Sequence, residues 1–128
     1  MAGELFEKGL VVRKEVLGAE YVEKSIQGAD EFALAMQEFA TETAWGMIWT
    51  RPGLPRKTRS LLNIAMLVIM NRQHELKLHI RSSFTNGVTK EEIKEVLLQV
   101  AAYAGVPAGI DGFRLAREAF AEMEAAKK

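Results

Sequence analysis

The sequence predicts an all-α fold, on three observations. Apolar residues recur at helical spacing along nearly every segment, no stretch alternates in the manner of a half-buried strand, and glycine, proline or Asn-Gly separates the periodic segments. At 128 residues the chain fits a single domain with its own core. About six helices account for it.

The first helix is expected from Glu4 to Leu17, with Leu5, Val12 and Val16 turned toward one face and Gly18 as its stop. Ala19 to Ala29 reads as a short mixed connection with at most one helical turn. Asp30 is a good N-cap for a second helix, which carries Phe32, Met36 and Phe39 at i, i+4, i+7 and runs into Thr43-Ala-Trp-Gly-Met-Ile-Trp49. Two prolines and a glycine break it in Thr50-Arg-Pro-Gly-Leu-Pro55.

The third helix, about Lys57 to Asn71, is apolar almost all round its later half. A helix without a polar face is buried on all sides, which in so small a chain predicts cover from a neighbouring subunit. The fourth helix, about Gln73 to Phe84, ends at Asn86-Gly87, where positive φ is cheap. Thr89-Lys-Glu-Glu92 is a capping box that opens the fifth, whose stripe is Ile93, Val96, Leu97, Val100, Ala101 and Ala104. Gly105 and Pro107 close it, and a last helix carries Ile110, Phe113, Ala116, Phe120 and Met123.

Composition narrows the function. Seventeen acidic residues balance seventeen basic ones, and no Lys/Arg block stands out, so nucleic acid is not an expected partner. Any anionic ligand must be held by a local cluster. The absence of cysteine excludes a disulfide framework, a thiolate nucleophile and a thiolate metal site. The longest apolar run, Ile64 to Met70, is far below the roughly 18–20 residues of a membrane span. The acidic start lacks a signal-type apolar core, and a soluble, cytoplasmic protein is expected.

Three constellations carry chemistry. Arg72, Glu75 and His79 fall within about 60° of one another on a helix, beside the apolar stripe Leu76, Ile80 and Phe84. A carboxylate one turn before an imidazole can orient it and raise its pKa, and a guanidinium can fix an anion. The same spacing equally suits an exposed ion-pair cluster. One histidine and one carboxylate, with His74 pointing elsewhere, do not make a metal set. Arg51, Arg56, Lys57 and Arg59 surround the Pro-Gly-Leu-Pro turn after Trp45 and Trp49, either as a cationic rim with aromatic walls for a di-anion or as a solvated turn over core tryptophans. Tyr103, before Ala-Gly-Val-Pro107, is a phenol at a helix end or simply a core tyrosine.

Several segments together resemble the carboxymuconolactone decarboxylase family, in its γ-carboxymuconolactone decarboxylase branch. They are G-L-x-V-R-x-E-V-L-G (Gly9 to Gly18), A-W-G-M-I-W-T-R-P-G-L (Ala44 to Leu54) and T-R-S-L-L-N-I-A (Thr58 to Ala65). E-L-x-L-H-I-R (Glu75 to Arg81), N-G-V-T-x-E-E-I (Asn86 to Ile93) and L-L-Q-V-A-A-Y-A-G-V-P-A (Leu97 to Ala108) complete the series. Related alkylhydroperoxidase-type proteins carry E-x11-C-x-x-C-x3-H. With His79 on that histidine, Arg72 and Glu75 take the cysteine positions and Ser60 the glutamate, so a thiol peroxidase is disfavoured.

The resemblance implies an alkylhydroperoxidase-like helical domain in a ring-like homo-oligomer, commonly a hexamer. It also implies cofactor-free conversion of 4-carboxymuconolactone to β-ketoadipate enol-lactone and CO2 in aromatic (protocatechuate) catabolism. On that reading His79 donates the proton, Glu75 orients it and keeps it protonated, and Arg72 stabilises charge on the lactone oxygen. Arg51, Arg56 and Arg59 anchor the carboxylates, while Trp45, Trp49 and Tyr103 wall the site. A different small carboxylated lactone as substrate, or a non-catalytic oligomer that binds a metabolite, is the alternative.

Overall fold

The computed structural model describes residues 3–127. Among these residues there are seven α-helices, one π-helical segment, one 3-10 turn and no strand. They form two compact units, divided at Pro55–Arg56, and each is described by itself.

The N-terminal unit holds α1 (Glu4–Leu17), α2 (Ala19–Gln27), α3 (Glu31–Ala40) and a π-helical segment, Thr41–Ile48. Helix α1 stops at Gly18, whose φ of 96° is reached cheaply without a Cβ and whose N–H donates to the Lys14 carbonyl at 2.9 Å. The expected connection after it is instead the nine-residue helix α2. Only Val22 of α2 is buried, so a single contact position left no periodicity to read. Asp30 caps α3 as expected, accepting from the Ala33 N–H at 2.8 Å.

The apolar stripe of α3 does not face this chain's core: α3 has no buried residue, and Phe32 is 91% exposed. After α3 the helix widens to i→i+5 hydrogen bonding, with Trp49 N–H donating to the Ala44 carbonyl at 2.9 Å. This segment packs against α1 at backbone distance. A Cβ on Gly9 would fall on the Thr41 carbonyl oxygen and lie 2.7 Å from the Gly46 nitrogen. Val12 and Val16 of α1 complete the contact with Trp45 and Trp49.

The C-terminal unit holds α4 (Arg56–Ile69), α5 (Gln73–Ser83), a 3-10 turn (Phe84–Asn86), α6 (Lys90–Ala104) and α7 (Val106–Ala126). Asn71, at φ 57°, turns the chain between α4 and α5. The capping box is present: Thr89 N–H donates to Glu92 Oε1 at 2.9 Å, and Glu92 N–H to Thr89 Oγ1 at 3.1 Å. Pro107 does not end α6 but sits in the first turn of α7, where no N–H is required.

The core gathers Ile64, Val68, Leu76, Ile80, Ile93 and Leu97 with the inner face of α7. That face is Gly109, Gly112, Leu115, Ala116 and Ala119, a partial shift from the expected stripe, for Ile110 is exposed. Small residues bring α7 close to α6: a Cβ on Gly109 would lie 2.5 Å from that of Ala101. Helix α4 is not buried all round within the chain. It covers Ser60, Ile64 and Val68 and leaves Leu62, Met66 and Ile69 exposed, as is Met70 just past its end. Lys77 bridges α5 to α7, 2.6 Å from Glu122 and 3.5 Å from Glu118, and Arg81 lies 3.3 Å from Glu122.

Candidate active site

Helix α5 presents Glu75 and His79 one turn apart, and its neighbouring side chains fix their setting. Leu76, Leu78, Ile80, Ser82 and Ser83 are all buried, which holds the helix against the core and draws His79 in with it. His79 is half-buried, with Nδ1 shielded from solvent, while Glu75 is exposed. Arg72 is not on the helix. It is the residue before the first turn, with φ −99° and ψ 82°, so the helical arithmetic that grouped it with Glu75 and His79 does not apply.

The electrostatics of His79 also depart from expectation. Burial pushes its pKa from the ordinary 6.5 down to about 4, against the opposing pull of the Glu75 carboxylate. An imidazolium loses hydration there that an exposed carboxylate replaces only in part. His79 is therefore neutral at pH 7 in the free protein, and Glu75 does not keep it protonated.

The cationic residues fall in different places. Arg56 opens α4 and is exposed; Arg59, one turn on, is half-buried with its Nε shielded. Lys57 is committed to Glu92 at 2.8 Å, a bond that holds the Glu92 carboxyl below its usual range and ties α4 to the cap of α6. Next to Arg59, the fully buried Ser60 accepts from Asn86 Nδ2 at 2.8 Å, so the turn after α5 is pinned to α4 beside an arginine. Sequence reasoning used Ser60 only as an alignment marker; its pairing with Asn86 spans 26 positions and leaves no local pattern.

Arg51, Trp45 and Trp49 belong to the N-terminal unit. The two indoles are buried and stacked, centroids 4.9 Å apart and planes 26° from parallel. Arg51 is exposed just past the π-helical segment, its N–H donating to the Ile48 carbonyl at 3.0 Å. Tyr103, 88% exposed, lines an apolar groove of about 320 Å³ between α4 and α6 with Leu61, Leu62, Ala65, Ile69 and Val96. His79 does not line that groove. Among the described residues no helix is long and apolar enough to cross a membrane.

Residues 35–118 match the carboxymuconolactone decarboxylase family, a match that spans parts of both units. The chain is 45% identical over 118 residues to a 4-carboxymuconolactone decarboxylase of Acinetobacter baylyi, covering 92% of this chain and 88% of that protein. It is 44% identical over 119 residues to a nitrosuccinic acid decarboxylase of Metarhizium robertsii, covering 93% and 83%. An uncharacterised protein of Paracoccus denitrificans is 31% identical over 85 residues, 65% of this chain and 63% of its own length. The chain belongs to the carboxymuconolactone decarboxylase family: it is an all-α enzyme of decarboxylase type.

Proposed function

We propose that this enzyme decarboxylates 4-carboxymuconolactone to β-ketoadipate enol-lactone and CO2. The observation that carries the reading is the 45% identity, along nearly the whole of both chains, to a decarboxylase of that name. The chemistry needs little from the protein. The bond from the γ-carbon to the carboxylate breaks, CO2 leaves, and the electron pair spreads into the lactone as a 2-oxyfuran-like anion. One proton then goes to the α-carbon.

His79 is the group we assign to that proton. Neutral in the free protein, it acquires its proton when the substrate binds, because two carboxylates brought near a shielded imidazole raise its pKa. Glu75, already raising it, adds to the same effect. Arg72 is assigned to charge on the lactone oxygen, and Arg51, Arg56 and Arg59 to the carboxylates. Trp45, Trp49 and Tyr103 remain proposed walls, each open to its own substitution. A homo-oligomer, with the hexamer as the family expectation, completes the reading; its support is the apolar surface that α3 and α4 leave exposed.

A second substrate is favoured by a specific observation, the 44% identity to a nitrosuccinic acid decarboxylase. In nitrosuccinate, as in the lactone, a carboxylate leaves a carbon whose electrons pass into an acceptor, here the nitro group, and a second carboxylate stays behind. The two acids therefore ask the same of the protein. CO2 release measured from each by the purified chain separates them, the higher kcat/KM naming the substrate. His79→Ala is expected to lower kcat about a hundredfold or more while circular dichroism stays unchanged. An undiminished kcat in that variant removes His79 from the mechanism, and no CO2 from either acid removes the proposal.

A further inference from the structure

In the N-terminal unit, α1 buries a guanidinium that the proposed mechanism does not use. Arg13 is only 7% exposed. Its Nη1 donates to Thr41 Oγ1 at 3.1 Å, and Thr41 Oγ1 in turn donates to the Gln37 carbonyl at 2.7 Å. Its Nε is buried without an acceptor among the described residues. Burial lowers its pKa, and the group that opposes this is the Tyr21 phenol rather than any carboxylate.

A threonine hydroxyl is a poor counterweight to a full charge taken out of water. An apolar side chain of similar volume is often neutral or stabilising at such a position, so stability alone does not account for arginine here. The surroundings are short of partners in a matching way. Gln37, one turn before Thr41 on the same face, has its side-chain oxygen buried and without a donor. Rotating that amide exchanges O for NH2 and turns a buried acceptor into a second buried donor on the helix that carries Thr41. Thr41 also opens the π-helical segment, a geometry that concentrates at functional sites.

We propose that Arg13, with Thr41 and Gln37, forms an anion site in the N-terminal unit that takes the carboxylate of a small organic acid. The guanidinium fork matches a carboxylate in charge and in geometry. The preference for a carboxylate over other anions rests on the decarboxylase reading above; the existence of the site does not.

Thermal unfolding of the full chain with succinate as probe, at low ionic strength, tests it. Succinate in large excess over Kd is expected to raise the wild-type Tm by at least about 3 °C. Arg13→Met is expected to melt within about 2 °C of wild type without succinate and to lose the response. A wild type that does not respond, or a folded Arg13→Met that responds equally, overturns the proposal. If Arg13→Met fails to fold, Arg13→Lys decides: calorimetric affinity for succinate should fall about tenfold or more, since an ammonium lacks the fork, and unchanged affinity overturns the site. Turnover is a separate matter. A chain that binds succinate through Arg13 yet releases no CO2 from either acid keeps this site and loses the proposed function.

Discussion

His79 illustrates how burial, more than spacing, sets the behaviour of a single residue. Its folded pKa lies near 4, against an ordinary 6.5 when the chain unfolds. Between those values the unfolded state holds more protons than the native state. Stability is therefore expected to fall as pH drops from about 6.5 to about 4, with His79 contributing at most about 3 kcal/mol of the loss. His79→Leu should flatten that part of the Tm-against-pH curve relative to wild type; parallel curves would mean that the imidazole is not desolvated. The sequence located His79 one turn after Glu75, and the structure keeps that relation. It did not reveal that Leu76, Leu78, Ile80 and the two following serines draw the ring inward far enough for desolvation to outweigh the carboxylate. Nor did it reveal that Arg72 stands outside the helix, because an i, i+3, i+7 pattern does not say where helical φ and ψ begin.

Among the elements, legibility followed local chemistry. The caps at Asp30 and Thr89, the stop at Gly18 and the turn at Gly87 are written in side chains that bond their own backbone or in a missing Cβ, and all four hold. Helix α2 was hidden because its packing uses one residue, and the exposed faces of α3 and α4 because apolar periodicity marks a contact face without naming what it contacts. The join of α1 to the π-helical segment was equally out of view, since Gly9 and Gly46 meet across 37 positions and read in sequence merely as weak helix formers. This join gives a sharp expectation. In Gly9→Ala the new methyl meets backbone atoms of Thr41 and Gly46, which cannot rotate away, so the two segments must separate. A loss of about 2 kcal/mol or more is expected in denaturant unfolding, although alanine is the better helix former. A neutral or stabilising result would mean that the close approach of α1 to this segment does not exist in solution.

At the scale of the whole molecule, a net charge of zero conceals a division. Residues 1–55 carry nine acidic and five basic side chains, and residues 56–128 carry eight acidic and twelve basic, giving −4 and +4. Self-association is therefore open to two physical causes, attraction between opposite halves or burial of apolar surface, and salt distinguishes them. Exposed charges are screened within about 3 Å at 1 M salt, whereas apolar burial at about 25 cal/mol per Å² is not weakened. Leu62, Met66 and Ile69, at i, i+4 and i+7 along α4, are all exposed, as is Met70 just past its end, and apolar exposure at that spacing favours the second cause. The proposed homo-oligomer is accordingly expected to appear in light scattering as a multiple of 14.3 kDa, and to keep that mass at 1 M NaCl. Replacing Leu62 and Met66 by glutamate should reduce the mass and leave helicity intact, since both positions are exposed and glutamate is a good helix former. A wild-type mass of one chain at micromolar concentration removes the oligomer. Dissociation by salt moves its cause to the charged halves, and an unchanged mass in the double variant moves the contact off α4, leaving the exposed Phe32, Met36 and Phe39 face of α3 as the surface to change next.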